Sequence, residues 1–360
     1  MIFTVSPLSP RPSGAGLFGI SVRRGKMKFV KSYLIPRIIQ YLYMVVIGIT
    51  LIFLIPRLSP VDPVEQILNT RLRIQSTTPE AILKIREVME ELYGLKGSLW
   101  EQYINMWKRL LKGDFGPSIV YYPAPVIVLI RNSLPWTIGL LTLTTLISWF
   151  MGLVLGTFLG YSKKSSLSRI WTAVFMAINP VPYYIFALTL LLLFCYVIPI
   201  FPLGGGFSVG QRVALTWSFI KDVIKHGTLP ALSLIILGLS GWSLGTKILV
   251  QNLSEEDYVV YAQMMGLSDR KILYSYVLRN AMLPQITGLG LSLGGIFGGA
   301  MMTEILFTYP GIGTLAYNAV RANDYNVMIA ISFFSIIAVA TALLILDLLY
   351  PLIDPRIRYR

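Results

Sequence analysis

Charge is what this sequence has least of. Of 360 residues only 13% are Asp, Glu, Lys or Arg, against about 25% in a soluble globular domain. So few charges cannot coat a water-facing surface, which excludes an ordinary soluble enzyme and a disordered chain. Acids are scarcer than bases, 17 against 31, for a formal net charge of +14. In a soluble chain that excess would suggest nucleic acid; in an apolar chain it marks loops held on the cytoplasmic side. The single cysteine, Cys195, excludes an internal disulfide and a multi-cysteine metal site. The single histidine, His226, excludes multi-histidine zinc chemistry. The chain has no Gly-x4-Gly-Lys-Ser/Thr phosphate loop and no His-Glu-x-x-His motif. No catalytic, cofactor-binding or metal-ligating set is therefore assigned within it.

What the sequence has instead is apolar length. A helix needs about 20 mainly apolar residues to cross the hydrocarbon core. Uncharged gaps of 19, 31, 42, 21, 24 and 22 residues follow Arg37, Arg131, Arg169, Lys225, Arg279 and Asp324. They predict six spans, near 38–56, 134–160, 170–198, 228–248, 284–303 and 328–350, and an all-α integral membrane protein. Six spans put both termini on one side. With the termini inside, the inner segments carry 17 basic residues and the two short outer loops carry four, so the bias favours cytoplasmic termini. Residues 1–26, rich in Pro, Gly, Ser and Arg, contain no signal-peptide run and read as a disordered leader or an over-long gene start. Residues 27–360 read as one transmembrane domain.

Two loops carry ordered sequence. In the outer loop 57–133, Pro79 and Glu80 open a helix with Ile82, Ile85, Met89 and Leu92 at helical spacing, and Gly94 stops it. A second helix puts Trp100, Tyr103, Ile104, Trp107 and Leu111 on one face, with Lys108, Arg109 and Lys112 at its end. Together they predict a small external cap. On the inner side, Ser254 with Glu255, Glu256 and Asp257 reads as a helix start. That helix runs to Met265, Gly266 suits a turn with positive φ, and Ser268-Asp269 starts a second helix that leads to Pro284 and span 5. A compact helix pair at the inner face could receive force from a partner.

At these residues the chain resembles the permease subunits of binding-protein-dependent ABC importers of the dipeptide/oligopeptide group, specifically the first of the paired permeases. Asp257-Tyr-Val-Val-Tyr-Ala-Gln-Met-Met-Gly-Leu-Ser-Asp-Arg-Lys-Ile-Leu with Tyr276-Val-Leu-Arg-Asn-Ala-Met-Leu-Pro284 looks like the family's EAA loop. Lys112-Gly-Asp-Phe-Gly-Pro-Ser118, Thr303-Glu-Ile-Leu-Phe-Thr-Tyr-Pro-Gly-Ile-Gly313 and Asp347-Leu-Leu-Tyr-Pro-Leu-Ile-Asp-Pro-Arg-Ile-Arg-Tyr359 match three further blocks. Val260-Tyr261-Ala262 stands where the family often has Glu-Ala-Ala, and Gln263 and Met265 replace the group's usual basic pair.

The resemblance implies a plasma-membrane subunit without enzyme activity, working with a second homologous permease, two ABC ATPases and an extracytoplasmic solute-binding protein. ATP and Mg would bind the ATPases, not this chain. It makes residues 254–283 the coupling loop, with Tyr261, Ala262, Met264, Met265, Gly266 and Leu267 at the ATPase. It places Asp114, Phe115, Gly116, Pro310, Gly311 and Gly313 in the outer segments. Span 5 carries Gly290, Gly294, Gly295, Gly298 and Gly299 at small-residue spacing, which suits close packing, a partner permease or the path. Asn179-Pro180-Val181-Pro182 should break or kink span 3 and could expose carbonyls to the path. Glu304, Asp347 and His226 sit at span edges, where polar groups are usually solvated or paired. The alternative is an ion-coupled secondary transporter, which would want mid-membrane ionisable residues and a repeat between halves; neither is evident. An intramembrane hydrolase would need a nucleophile–base or metal pair within the spans, and the scarcity of His and Cys argues against it.

Overall fold

The computed structural model describes residues 33–58, 79–162, 165–214 and 216–353. The leader at 1–26 and the end of the C-terminal motif, 354–360, lie outside the described residues. Where the sequence is long and apolar the backbone satisfies its own N–H and C=O groups as helix, the only open-chain solution in hydrocarbon. Four single-helix spans among the described residues follow this rule: α1 (Ile35–Leu58), α4 (Val126–Tyr161), α7 (Trp217–Ser254) and α13 (Tyr325–Ile353).

The helices outrun the charge gaps. Arg131 lies inside α4, and Lys221, Asp222 and Lys225 lie inside α7. A gap between charges measures the hydrocarbon, whereas a helix continues into the hydrated interface until something caps it. For α7 that cap is Thr216, whose Oγ accepts from Phe219 N at 3.3 Å. Its other end corrects the expected start of the coupling loop. Ser254 is the last residue of α7, its Oγ donating back to Val250 O at 2.6 Å, and Glu256 is the N-cap of the next helix.

Span 3 is broken as its prolines require. The α5 helix (Ser166–Ile178) and α6 (Tyr183–Leu191, extended by a π-helical turn Leu192–Val197) meet at 98°, because Pro180 and Pro182 have no N–H to continue a helix. Span 5 does not open at Pro284. After α8 (Asp257–Met264), the short α9 (Asp269–Ile272) passes through a π turn, Leu273–Leu278, into α10 (Arg279–Gly295), with Pro284 inside it. The apolar run is helical from Asp269 to Gly298. It stops at Gly299, at φ +73°, and α11 (Met301–Leu306) and α12 (Ile312–Arg321) form a hairpin before α13.

The tightest helix pair is α4 with α7. A Cβ on Gly156 would lie 2.5 Å from the Ser243 carbonyl oxygen, and one on Gly160 would lie 2.8 Å from that of Lys247. Gly152, Gly156 and Gly160 therefore let two backbones touch, and Ser243 and Thr246 are buried opposite them. The glycine spacing points to such a face in span 5; the closest approach is here.

The cap is helical, as expected. Its second helix, α3 (Leu99–Leu111), follows α2 (Pro79–Leu92) and is opened by a reciprocal cap: Glu101 N donates to Ser98 Oγ at 3.3 Å and Ser98 N donates to Glu101 Oε2 at 2.8 Å. That hydrogen bond from the Ser98 backbone holds the Glu101 carboxyl below its ordinary pKa. The expected single apolar face of α3 divides in two. Tyr103, Met106, Trp107 and Leu110 turn toward the spans, while Trp100, Ile104 and Leu111 are exposed. In α2, Met89 is half-buried; the side chains of Ile82, Ile85 and Leu92 lie outside the described residues.

Candidate functional site

At one end of the bundle α8 and α9 pack on the end of α7. Val250, Val259, Ala262, Ile272 and Val277 form a fully buried cluster, with Tyr161, Leu253, Leu267, Leu273 and Tyr276 around it. The turn between the helices is a Schellman motif: Gly266 N donates to Gln263 O at 2.9 Å and Leu267 N donates to Ala262 O at 3.3 Å. Gly266 has φ +72°, and a Cβ added there would meet nothing within 4 Å. Backbone conformation, not space, requires glycine there. Tyr161 Oη donates to the Asp269 backbone oxygen at 3.3 Å, and Asn280 Nδ2 donates to Tyr258 Oη at 3.0 Å.

This geometry divides the six expected coupling residues. Tyr261, Met264 and Met265 point outward, Met264 with 80% of its surface exposed, and Gly266 sits at the apex. Ala262 is fully buried and Leu267 is the apolar partner of the Schellman turn. Both pack against the chain's own core, Ala262 completely and Leu267 in part. The helical period put all six within one turn, and only the packing separates the two sides.

At the opposite end, two buried carboxylates organise the segments expected to lie outside. Glu304 accepts from Thr137 Oγ1 at 2.9 Å, Gly313 N at 2.7 Å, Thr314 N at 3.2 Å and Ala300 N at 3.4 Å. Gly311 and Gly313 wrap this carboxylate; a Cβ on Gly313 would lie 2.6 Å from Met301 Cα and 2.9 Å from Glu304 Oε2. Pro310 packs against Gly206. Asp324 accepts from the Ser118 hydroxyl, from Ile119 N at 2.8 Å and Val120 N at 3.1 Å, and from Val327 N at 3.3 Å. Asn326 Nδ2 donates to Pro117 O at 2.9 Å. Phe115 is buried against Phe333 and Phe334, with ring centroids 5.6 and 5.2 Å away. Asp114 pairs with Arg109 at 3.3 Å and accepts from Gly116 N at 2.9 Å. The structure thus brings the two expected outer blocks onto the ends of α4, α12 and α13.

The roles of Asp324, Ser118 and Thr137 are not legible in the sequence. The one signal is Asp324 directly before an apolar run, the pattern of a helix N-cap. His226 is buried, its Nδ1 2.9 Å from Asp222 O. Asp347 pairs with Arg37 at 3.2 Å, joining the start of α1 to the end of α13.

The span 5 glycines separate in the same way. A Cβ on Gly290 would meet Leu346 at 2.5 Å and one on Gly294 would meet Ala342 at 2.6 Å, so both pack on α13 of the same chain. They floor an open apolar groove of about 590 Å³ lined also by Leu293, Phe297 and Ile337. Gly295 and Gly298 have nothing within 4 Å of a Cβ position, and Gly299 breaks the helix. Asn179 and Pro180 lie at the span 3 bend, where Pro180 is exposed and Asn179 Oδ1 accepts from Ser240 Oγ at 3.4 Å. A second apolar groove, of about 560 Å³, runs between α4 and α7 under Tyr309 and Trp136.

The model of the binding-protein-dependent transport system inner membrane component matches residues 152–359, more than half of the chain. This chain belongs to that family. The oligopeptide transport system permease protein AppB of Bacillus subtilis (strain 168) is 30% identical over 316 residues, covering 88% of this chain and 96% of that one. The peptidoglycan transport system permease protein YejB of Agrobacterium fabrum (strain C58 / ATCC 33970) is 32% identical over 290 residues, covering 79% and 78%. The dipeptide transport system permease protein DppB of Lactococcus lactis subsp. cremoris (strain MG1363) is 25% identical over 330 residues, covering 91% and 99%. This chain is therefore the multi-pass permease subunit of an ABC importer, not an ion-coupled carrier. The matched region of the permease begins at Gly152, the first glycine of the α4–α7 contact, and takes in the Gly266 turn, Glu304 and Asp324.

Proposed function

We propose that this permease forms one half of a translocation path for peptides or similar solutes. A second homologous permease supplies the other half, an extracytoplasmic solute-binding protein delivers the solute, and two ABC ATPases holding ATP and Mg dock at the inner face. The peptide reading rests on relatives whose names specify oligopeptide and dipeptide transport. The orientation, in the plasma membrane with both termini cytoplasmic, rests on the 17 basic residues of the inner segments against four in the short outer loops.

One observation carries the coupling assignment. Tyr261, Met264 and Met265 stand out from a helix whose opposite side is locked in the chain's own core. An apolar crest on a rigid base suits insertion into a groove of a partner. Past the Gly266 turn, the same base takes in Ile272 and Val277 of the rod from Asp269 to Gly298, about 45 Å of helix. Closure of the ATPase pair around ATP would push the crest, and the rod would carry the movement to the Gly299 break. Gly295 and Gly298, open on one side, are then the positions of span 5 that would face the second permease or the path, while Gly290 and Gly294 hold the rod to α13.

The test is a cysteine at position 264 in the complete transporter, in a Cys195→Ala background. Met264→Cys is expected to crosslink to an ATPase subunit, and Gly266→Pro to leave ATP hydrolysis running without uptake. No crosslink together with normal uptake in Gly266→Pro would overturn the assignment.

A further inference from the structure

We propose that α3 is a lipid-embedded anchor, lying in the bilayer interface with Trp100, Ile104 and Leu111 among the acyl chains and Lys108 and Lys112 at phospholipid headgroups. Its depth comes from two spans independently. The Arg37–Asp347 ion pair marks one polar boundary, and 20 residues of helix rise about 30 Å, the hydrocarbon thickness. The opposite boundary then falls near Arg57 on α1 and near Val327 on α13. Thr50 lies about 10 Å below Arg57, and Phe333 and Phe334 about 10 Å below Val327.

The α3 segment is fastened at those depths. Arg57 Nε donates to Gln102 Oε1 at 2.9 Å, so the start of α3 is at the boundary. One residue later the Tyr103 hydroxyl is 2.7 Å from Thr50 Oγ1, and its ring packs edge-on to Phe53 at 5.2 Å. Just past its end, Phe115 packs on Phe333 and Phe334. The whole helix therefore sits within the outermost 10 Å or so, the depth of monotopic helices.

The helix face supplies the occupant. Around α3 the inward side chains Tyr103, Met106, Trp107 and Leu110 are followed on the next strip by Trp100, Ile104 and Leu111, then by Lys108 and Lys112. Leu111 is 81% exposed and Trp100 68%. This strip continues the lipid-facing surface of α1, where Leu51, Leu54 and Ile55 are exposed beside Phe53. Two lysines next to an apolar strip complement anionic headgroups while their stems stay in the apolar zone. Glu101, the acid on that side, is occupied with Ser98, and Asp114 with Arg109.

The experiment places a cysteine at position 104, 111 or 105 of the complete transporter, in a Cys195→Ala background, with an environment-sensitive dye on each. The protein is reconstituted in nanodiscs of phosphatidylethanolamine and phosphatidylglycerol. Ile104→Cys and Leu111→Cys are expected to emit blue-shifted and to be quenched several-fold more by nitroxide on lipid acyl chains than Asn105→Cys, which stays open to iodide. Water-like emission at both 104 and 111 overturns the proposal. So does blue-shifted emission that lipid nitroxide does not quench, the result if a partner protein covers the strip. Loss of the Met264→Cys crosslink would affect the coupling assignment and leave this readout unchanged.

Discussion

Thr137 Oγ1 donates to Glu304 Oε1 at 2.9 Å, across 167 residues of chain. The same hydroxyl oxygen accepts from Ile312 N at 2.7 Å. The N-cap of α12 is Gly311, which has no side chain to cap it, and the helix's first N–H groups would otherwise be unpaired. Thr137 takes the N–H of Ile312, and Glu304 takes those of Gly313 and Thr314. A carboxylate from another helix thus caps α12 in place of the side chain Gly311 lacks, placed where the helix dipole favours negative charge. Asp324 does the same for α13 through Val327 N while gripping the 118–120 loop.

Glu304→Gln should destabilise the outer hairpin. The amide can accept at only one oxygen and turns a donor toward backbone N–H groups. Losing a charge-assisted, buried set of this kind costs about 1.5–3 kcal/mol or more. The melting temperature of the detergent-solubilised complex should fall, and fall further than for Thr137→Val, which removes one donor to Glu304 and the acceptor of Ile312 N. Equal melting temperatures for all three proteins would refute the capping role.

Asp324→Asn should loosen the outer loop locally. Ile119 and Val120 lose a charged acceptor, a loss of about 1.5–3 kcal/mol. Hydrogen exchange at residues 118–121 should speed up, with the Gly266 turn unchanged.

Gly266 should tolerate side chains according to φ, not size. The site is open, so Gly266→Ala meets no clash and costs about 1–2 kcal/mol from the left-handed backbone alone. Gly266→Asn should cost less, since Asn visits that region more readily. Uptake per ATP hydrolysed should rank Gly, Asn, Ala, then Pro.

Gly156→Leu should prevent α4 from seating on α7. The added atoms enter the space of the Ser243 backbone, which cannot move as a side chain can, and over-packing costs about 1–3 kcal/mol or more. Membrane levels of the folded permease should drop sharply. Gly245→Ala, with nothing within 4 Å of its Cβ position, should leave them unchanged.

The span 3 break and the Gly266 turn can both be read in advance, because proline and left-handed glycine act on the backbone wherever they stand. The long apolar spans can be read because the cost of placing charge in hydrocarbon adds up residue by residue along the chain. Nothing of that local kind distinguishes Ala262 from Met264, or the Gly290 stripe from the Gly152 stripe. Each pair has similar spacing and chemistry, and differs only in what lies opposite.

Sequence alone, then, determined the membrane class, the family blocks and the helix–turn–helix around Gly266. The tertiary structure decided which side of each helix is already occupied. It also turned Glu304 and Asp324 from edge charges into buried caps. Burial and hydrogen bonding are set by partners such as Thr137 and Ser118, more than 160 residues away, and no pattern along the chain records that proximity.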